Sequence, residues 1–413
     1  MIFTLIRKEC TQIYRSLIYW LYAACLILFF YSQLGGMNIL EPPREGQEDY
    51  SAYGYKSDIT DQEVMETGTG SLVWVYYYDH YETYPVGFAK NVYPSEEEKE
   101  EIAGIIYDLT GVKAEDLEEN IDRFFQQHDI RTTQYEIKVK EGVTYKQFLG
   151  EMKKVTRILG PGSGFTEENL RANVRIPVDY EGAKENYRKL LEEDGLTGGY
   201  ARLFCDYIGV AAGILPVFVT ASRVLRDRRA QMQELIYSRK ISSATLTGSR
   251  YAALVLMHML PILLLSIIPY VKCITAGIEN VHPDNLAWLK YDLGWLLPTV
   301  MIVISVGMLC TELTETAAGV FVQAAWWFIS LMTGVTGLSG GNYGWNLIPR
   351  HNTEMNYAGF ASGFRQLAEN RILYAVLALV LLAVTMVVYE RKRKGHLRRR
   401  GKICRNRKSA AGI

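Results

Sequence analysis

Catalysis needs particular residue types at particular spacings, and this 413-residue sequence offers few such sets. No G-x-x-x-x-G-K-[ST] phosphate loop and no H-E-x-x-H occurs in it. Gly160-Pro161-Gly162-Ser163-Gly164 is glycine-rich, but no lysine follows, so it reads as a turn. The histidines His80, His128, His258, His282, His351 and His396 are scattered, and no two of the six cysteines have metal-ligand spacing. The sequence therefore predicts no catalytic, cofactor or metal residues and no enzyme. Two ionisable groups stand out because they fall within apolar runs, Asp206 and His258. A charge in hydrocarbon is costly, so Asp206 is expected to face protein or water, and a substrate contact is the alternative. His258 reads as a packing residue, with a cross-helix hydrogen bond as the alternative. A third feature is Ala221 to Tyr251, which holds Arg223, Arg226, Arg228, Arg229, Arg239, Lys240 and Arg250 against only Asp227 and Glu234.

The elements that position these residues follow from hydropathy. Apolar runs of spanning length cover about 17–34, 204–220, 254–274, 294–310, 317–335 and 372–388. They predict an α-helical polytopic membrane protein with six transmembrane helices. The basic stretch between the second and third runs is held on the cytoplasmic side by the positive-inside bias, which places both termini inside. The expected layout begins with an interfacial helix and first span in 1–34, followed by a large extracytoplasmic domain in 35–199. A five-helix region in 200–390 carries a cytoplasmic coupling loop at 221–251 and an outer segment at 337–371. A basic tail occupies 391–413. The formal net charge of zero hides this segregation. Residues 35–203 carry 33 acids and 19 basic groups, and 19 − 33 = −14, whereas 391–408 holds eleven basic residues and no acid. Because the tail follows an apolar run, anionic lipid rather than nucleic acid is its expected partner.

The acidic domain is expected to be α+β or mainly helical, with a core of its own. It contains no cysteine and so must hold by packing. Ser71 to Tyr78 is β-branched and aromatic and predicts a strand, as does the alternation in Gln134 to Val139. Ser95 with Glu98, and Thr144 with Gln147, have capping-box spacing and predict helices to about Leu109 and Leu159. Lys113 to Gln127 and Tyr180 to Asp194 predict two more, and Thr166 caps a short one.

Gln233-Glu234-Leu235-Ile236-Tyr237-Ser238-Arg239-Lys240-Ile241-Ser242, followed by Gly248-Ser249-Arg250-Tyr251 and an apolar run, resembles the cytoplasmic loop of the permease subunits of bacterial-type type 2 ABC exporters. The family often has Pro where this chain has Lys240, and Lys where it has Arg250. The layout is similar as well, including a polar segment before the last span that in the family dips back into the outer leaflet. The resemblance implies an ATP-driven exporter in the cell membrane, working as a homo- or heterodimer of permeases with separate cytosolic ATPase subunits. It places ATPase docking on Glu234, Leu235, Ser238, Ile241 and Ser242, on a short helix around 234–242. Without it, the same residues read as an amphipathic helix resting on the inner membrane face. The competing function is a membrane-bound sensor or scaffold whose extracytoplasmic domain binds a ligand.

Overall fold

The structure is a computed structural model and describes residues 2–85, 89–127, 137–278, 283–334, 340–341 and 343–395. The amphipathic start of the chain forms α1 (Ile2–Tyr14), which buries Glu9 and Ile13 and leaves Ile2 and Phe3 exposed. Ser16, in an extended conformation, separates it from α2 (Leu17–Leu34), an apolar helix of spanning length. The chain then divides into two compact units, Pro43–Ala183 and the remainder, Met1–Pro42 with Lys184–Ile413.

Pro43–Ala183 is mostly helical. Thr60 opens α3 (Asp61–Tyr77) with a reciprocal capping box, accepting from the Glu63 amide while the Glu63 carboxylate accepts from the Thr60 amide at 2.8 Å. The predicted strand at Ser71 to Tyr78 is therefore the last two turns of a helix. Its inward residues, Val64, Met65, Gly68, Leu72 and Val73, recur at helical spacing against Phe148 and its neighbours. Packing on one face outweighs the β preference of the side chains. Gly68 is required at that contact, since a Cβ there would stand 2.7 Å from the Phe148 ring. A short antiparallel hairpin, β1 (Tyr81–Thr83) and β2 (Lys90–Val92), supplies the strands of this unit among the described residues. Of the predicted strand Gln134 to Val139, residues 134–136 lie outside the described residues and 137–139 form no strand.

Ser95 and Thr144 complete the expected capping boxes of α4 (Glu96–Thr110) and α6 (Tyr145–Leu159). Between them lies α5 (Ala114–Gln127), and Thr166 caps α7 (Glu167–Asn173). These helices enclose one core centred on Leu72, Ile102, Ile106, Ile121, Phe148 and Val155. The glycine-rich stretch is a turn, as expected. Gly162 has φ +79° and lies so close to Tyr84 and Pro85 that a Cβ would collide with their backbone. Replacing Thr60 by Ala is expected to cost about 1 kcal/mol in α3, because the Glu63 amide loses its side-chain acceptor while the amide of residue 60 keeps the Glu63 carboxylate. Hydrogen exchange on the full chain would register it as roughly fivefold less protection in the first turn of α3, with α4 unchanged.

After α8 (Tyr180–Glu192), the predicted second span proves to be two helices, α9 (Thr197–Ala212) and α10 (Pro216–Arg229). They meet at 42°, because the chain breaks at Gly213 and Pro216 restarts it at the first helical turn. A short α11 (Gln233–Tyr237) leads to α12 (Ser243–Thr275). Then come α13 (Ala287–Tyr291), a wide π-helical turn at Asp292–Leu296, and α14 (Leu297–Thr314). The chain continues through α15 (Ala318–Gly334) to α16 (Tyr357–Arg393). Among the described residues, four stretches are long and apolar enough to cross a membrane: α2, α12, the continuous run Ala287–Thr314, and α16. The bent pair α9–α10 passes the same test only when its two helices are taken together, as a broken span or a re-entrant loop, and Ala318–Met332 is a shorter apolar helix. The run ending in α14 is the central one, with 67% of its apolar window buried against 33% for α2 and α16. Thr311 to Thr314 complete α14, and Glu315 ends it with φ 60°.

Candidate functional site

The basic stretch 221–251 is mostly helix, so the true loop is residues 230–242 between α10 and α12. It begins where Gln231 takes φ 54° and the Met232 amide returns to the Asp227 carbonyl at 2.9 Å. The helix expected around 234–242 is shorter, because α11 stops at Tyr237 and has no buried residue. Its Glu234 and Ile236 carbonyls are held locally, by the Ser238 and Arg239 amides, while its last carbonyl and two beyond it are held by a residue far along the chain. The Arg393 guanidinium, in the last turn of α16, donates to the carbonyls of Tyr237 at 2.9 Å, Ile241 at 2.5 Å and Arg239 at 2.5 Å. The Tyr237 ring meets Tyr389 of α16 edge-on at 5.6 Å. Burial, with the Glu312 and Glu315 carboxylates nearby, pushes the Tyr237 phenol up. The loop is thus clamped from beneath and presents its other side outward. Leu235 is 54% exposed and Met232 45%, so the outward side carries two large apolar groups.

All five expected docking residues lie on this loop. Glu234, Leu235 and Ser238 are exposed, and Ile241 is half-buried. Two of the five also have local duties. The Ser238 hydroxyl donates to the Leu235 carbonyl at 2.9 Å, and Ser242 caps α12 by accepting from the Thr245 amide at 3.0 Å. Those hydroxyls hold the loop's shape, which leaves Glu234 and Leu235 as the outward groups of the set.

Behind the loop lies a buried charge cluster that joins three helices. Arg223 of α10 donates to Glu9 of α1 through Nε at 2.7 Å, and its Nη1 stands 3.3 Å from Asp227. Arg250 of α12 donates to Asp227 at 2.6 Å and stands 3.8 Å from Glu9. Both guanidinium side chains are only 5% exposed, and the two cations balance the two carboxylates. A second set ties α10 to α14 and α16, where Arg228 and Lys392 both meet Glu315. Burial works against the ionised form of Glu315, yet those two cations hold its carboxyl below the usual carboxylate range. Arg223 and Arg250, read from the sequence as part of a basic stretch, are therefore packed into the protein.

Asp206 and His258 belong to neither cluster. Asp206, fully buried on α9, accepts from the His351 amide at 2.6 Å, the Asn352 amide at 3.2 Å and Arg350 Nε at 3.0 Å. It is satisfied by protein and fastens the segment before α16. Arg202 grips the same segment through the carbonyls of Glu354 and Met355, with Asp194 bound bidentately behind it. Arg371 reaches it from α16 through the Asn346 and Leu347 carbonyls. His258 is buried against α2. Its Nδ1 lies 2.7 Å from the Leu254 carbonyl of its own helix, and its ring meets Tyr22 edge-on at 4.7 Å. Nothing in the local sequence pointed to the contacts of Arg393 with the loop, Arg350 with Asp206 or Glu9 with Arg223, which span 144 residues or more.

The sequence model of the family described as ABC-2 family transporter protein matches residues 47–389. The chain belongs to this ABC-2 transporter family. It is an integral membrane protein and an ABC transporter permease, and permeases of this family typically work with cytosolic ATPase subunits. No curated protein and no solved structure gives a significant match to the chain. The permease family is in general the non-enzymatic membrane component of its transporters.

Proposed function

We propose that this permease is the membrane subunit of an ATP-driven exporter and that its α10–α12 loop docks a cytosolic ATPase. The observation that carries the reading is the clamped, outward-facing α11, with Leu235 and Met232 exposed above a buried charge cluster. An export stroke needs a contact through which ATP free energy passes and an element that both sites bias. Glu234, Leu235 and Ile241 form the docking core, and Ser238 and Ser242 keep its shape. A push on α11 reaches α16 through Arg393 and reaches α1, α10 and α12 through the charge cluster. In this reading α9–α10 and α15 count as spans, giving six, with the loop and both termini in the cytosol. The basic tail, mostly outside the described residues, rests on anionic lipid. The permease pairs with an identical or related copy, since closed symmetric dimers are the commonest assembly.

Pro43–Ala183 is read as the extracytoplasmic domain that governs selectivity. A sensor or scaffold would use it differently, and deletion separates the two readings. Replacing Pro43–Ala183 by a short linker should leave the spans inserted and ATP turnover measurable while substrate preference changes. Loss of insertion would count against an independent domain. Asp206 acts here by positioning the segment before α16, and His258 by packing.

The clamp itself gives a graded test. Arg393→Ala removes three charge-assisted hydrogen bonds to a loop that has few other anchors. It should weaken ATPase association about tenfold, or about 1.4 kcal/mol, while the thermal midpoint of the purified permease moves little. Co-purification titrated against ATPase concentration measures the first, and a melting curve the second. Unchanged association would remove the clamp from the coupling path.

A further inference from the structure

A cavity of about 360 Å³ lies between α1 and α10, at the same end of the helices as the α10–α12 loop. Its polar lining is Gln12 near the end of α1, Ser16 between α1 and α2, and Ser222, Arg226, Arg229 and the already paired Arg223 from α10. Arg226 and Arg229 are one turn apart and share a face. Among the described residues no carboxylate pairs with either of them, although Arg223 and Arg228 beside them are both paired. Two unneutralised guanidiniums, two hydroxyls and an amide converge on a space with room for about a dozen waters. Arg is the side chain best suited to bind a phosphate through paired donors.

The apolar surroundings select the source of that phosphate. Ile13 and Val219 line the same cavity. The next residues toward the membrane are exposed apolar groups: Leu17, directly after Ser16, is 74% exposed, and Phe218, directly before Val219, is 45% exposed. In an integral membrane protein such faces meet acyl chains. A basic, hydroxyl-lined pocket bordered by apolar surface fits an amphiphile with an anionic head, whereas free phosphate would gain nothing from the apolar rim. We infer that this cavity binds the phosphate head of an anionic phospholipid, which bridges α1 to α10 at the root of the loop. The inference goes beyond the proposed ATPase contact and stands without it, since its residues lie on the helices and not on α11.

The test uses the full chain, purified and exchanged into mixed micelles containing phosphatidylglycerol or phosphatidylcholine, with retained lipid counted by native mass spectrometry during delipidation. Wild type should keep phosphatidylglycerol at least tenfold better than phosphatidylcholine. R226Q/R229Q should lose that preference, R226K/R229K should keep most of it, and R365Q, a charge on the exposed first turns of α16, should not change it. Both arginines in the cavity are exposed, so the double variant should melt like wild type. Equal retention of the two lipids, or unchanged preference in R226Q/R229Q, would overturn the proposal. Inorganic phosphate or glycerol phosphate displacing phosphatidylglycerol at equal concentration would assign the site to a soluble anion instead. Loss of ATPase association in R226Q/R229Q with lipid retention intact would assign it to a protein partner.

Discussion

Arg250→Met is expected to destabilise the permease by about 3–5 kcal/mol, the usual cost of removing one partner from a buried charge pair. The physical cause is the charge left behind. In the wild type, Arg223 and Arg250 balance Glu9 and Asp227, and both guanidinium side chains are 5% exposed. Without Arg250 the cluster holds two carboxylates and one cation, with little water to screen the excess. The same reasoning predicts a rescue. Adding Asp227→Asn to Arg250→Met leaves one acid, Glu9, opposite one cation, Arg223, whose contact at 2.6 Å is undisturbed. The double variant should therefore recover a large part of the loss, and the two substitutions should be strongly non-additive, as expected for residues in one network. Thermal unfolding of the four species in one detergent measures the cycle. Additive losses would show that the cluster is not a charge-balanced unit.

That cluster also shows where sequence reasoning stops. Arg250 was legible as part of the family-like Gly248-Ser249-Arg250 step, and Arg223 as one charge in a basic stretch. Neither pattern says that they share the acids Glu9 and Asp227, because pairing across 214 residues is a property of helix packing and leaves no local trace. The clamp by Arg393 is hidden for the same reason, since a cation in a basic tail looks like any other until the loop carbonyls are placed beneath it.

Local signals were read well where one short motif decides the outcome. Ser95 with Glu98 and Thr144 with Gln147 form the capping boxes their spacing implies. The miss at Ser71 to Tyr78 has the opposite cause. Thr60 and Glu63 carry the same signal, but they stand far ahead of an aromatic, β-branched run whose intrinsic preference is for strand. The helix, once started at Thr60, runs through that preference because Leu72 and Val73 fall on its buried face. Four of the six apolar runs form helices of spanning length, a fifth is bent into two helices, and the run at 317–335 gives a shorter apolar helix. Pro216, inside the second apolar run, is the start of a second helix.

The order of these elements accounts for what the loop could transmit. Two contacts hold the loop itself, Arg393 on its carbonyls and Tyr389 against Tyr237, while Glu390 on Ser243 and the two charge sets tie together the helices that flank it. A force on α11 therefore meets α16 first. Such coupling is useful only if something binds α11, and the exposed Leu235 and Glu234 are where that contact is placed.

The most direct measurement is the affinity of the purified permease for its ATPase, together with the ATP turnover of the reconstituted pair, in wild type, Leu235→Arg and Glu234→Arg. Both side chains are exposed and α11 buries nothing, so the variants should fold and melt like wild type. The account predicts that Leu235→Arg weakens association at least about a hundredfold, or about 2.7 kcal/mol, by placing a charge where an apolar anchor enters its groove. Glu234→Arg should act in the same direction, and permease-dependent ATP turnover should fall with association in both. Association and turnover indifferent to both substitutions would contradict the central claim that α11 is the contact through which this permease is driven.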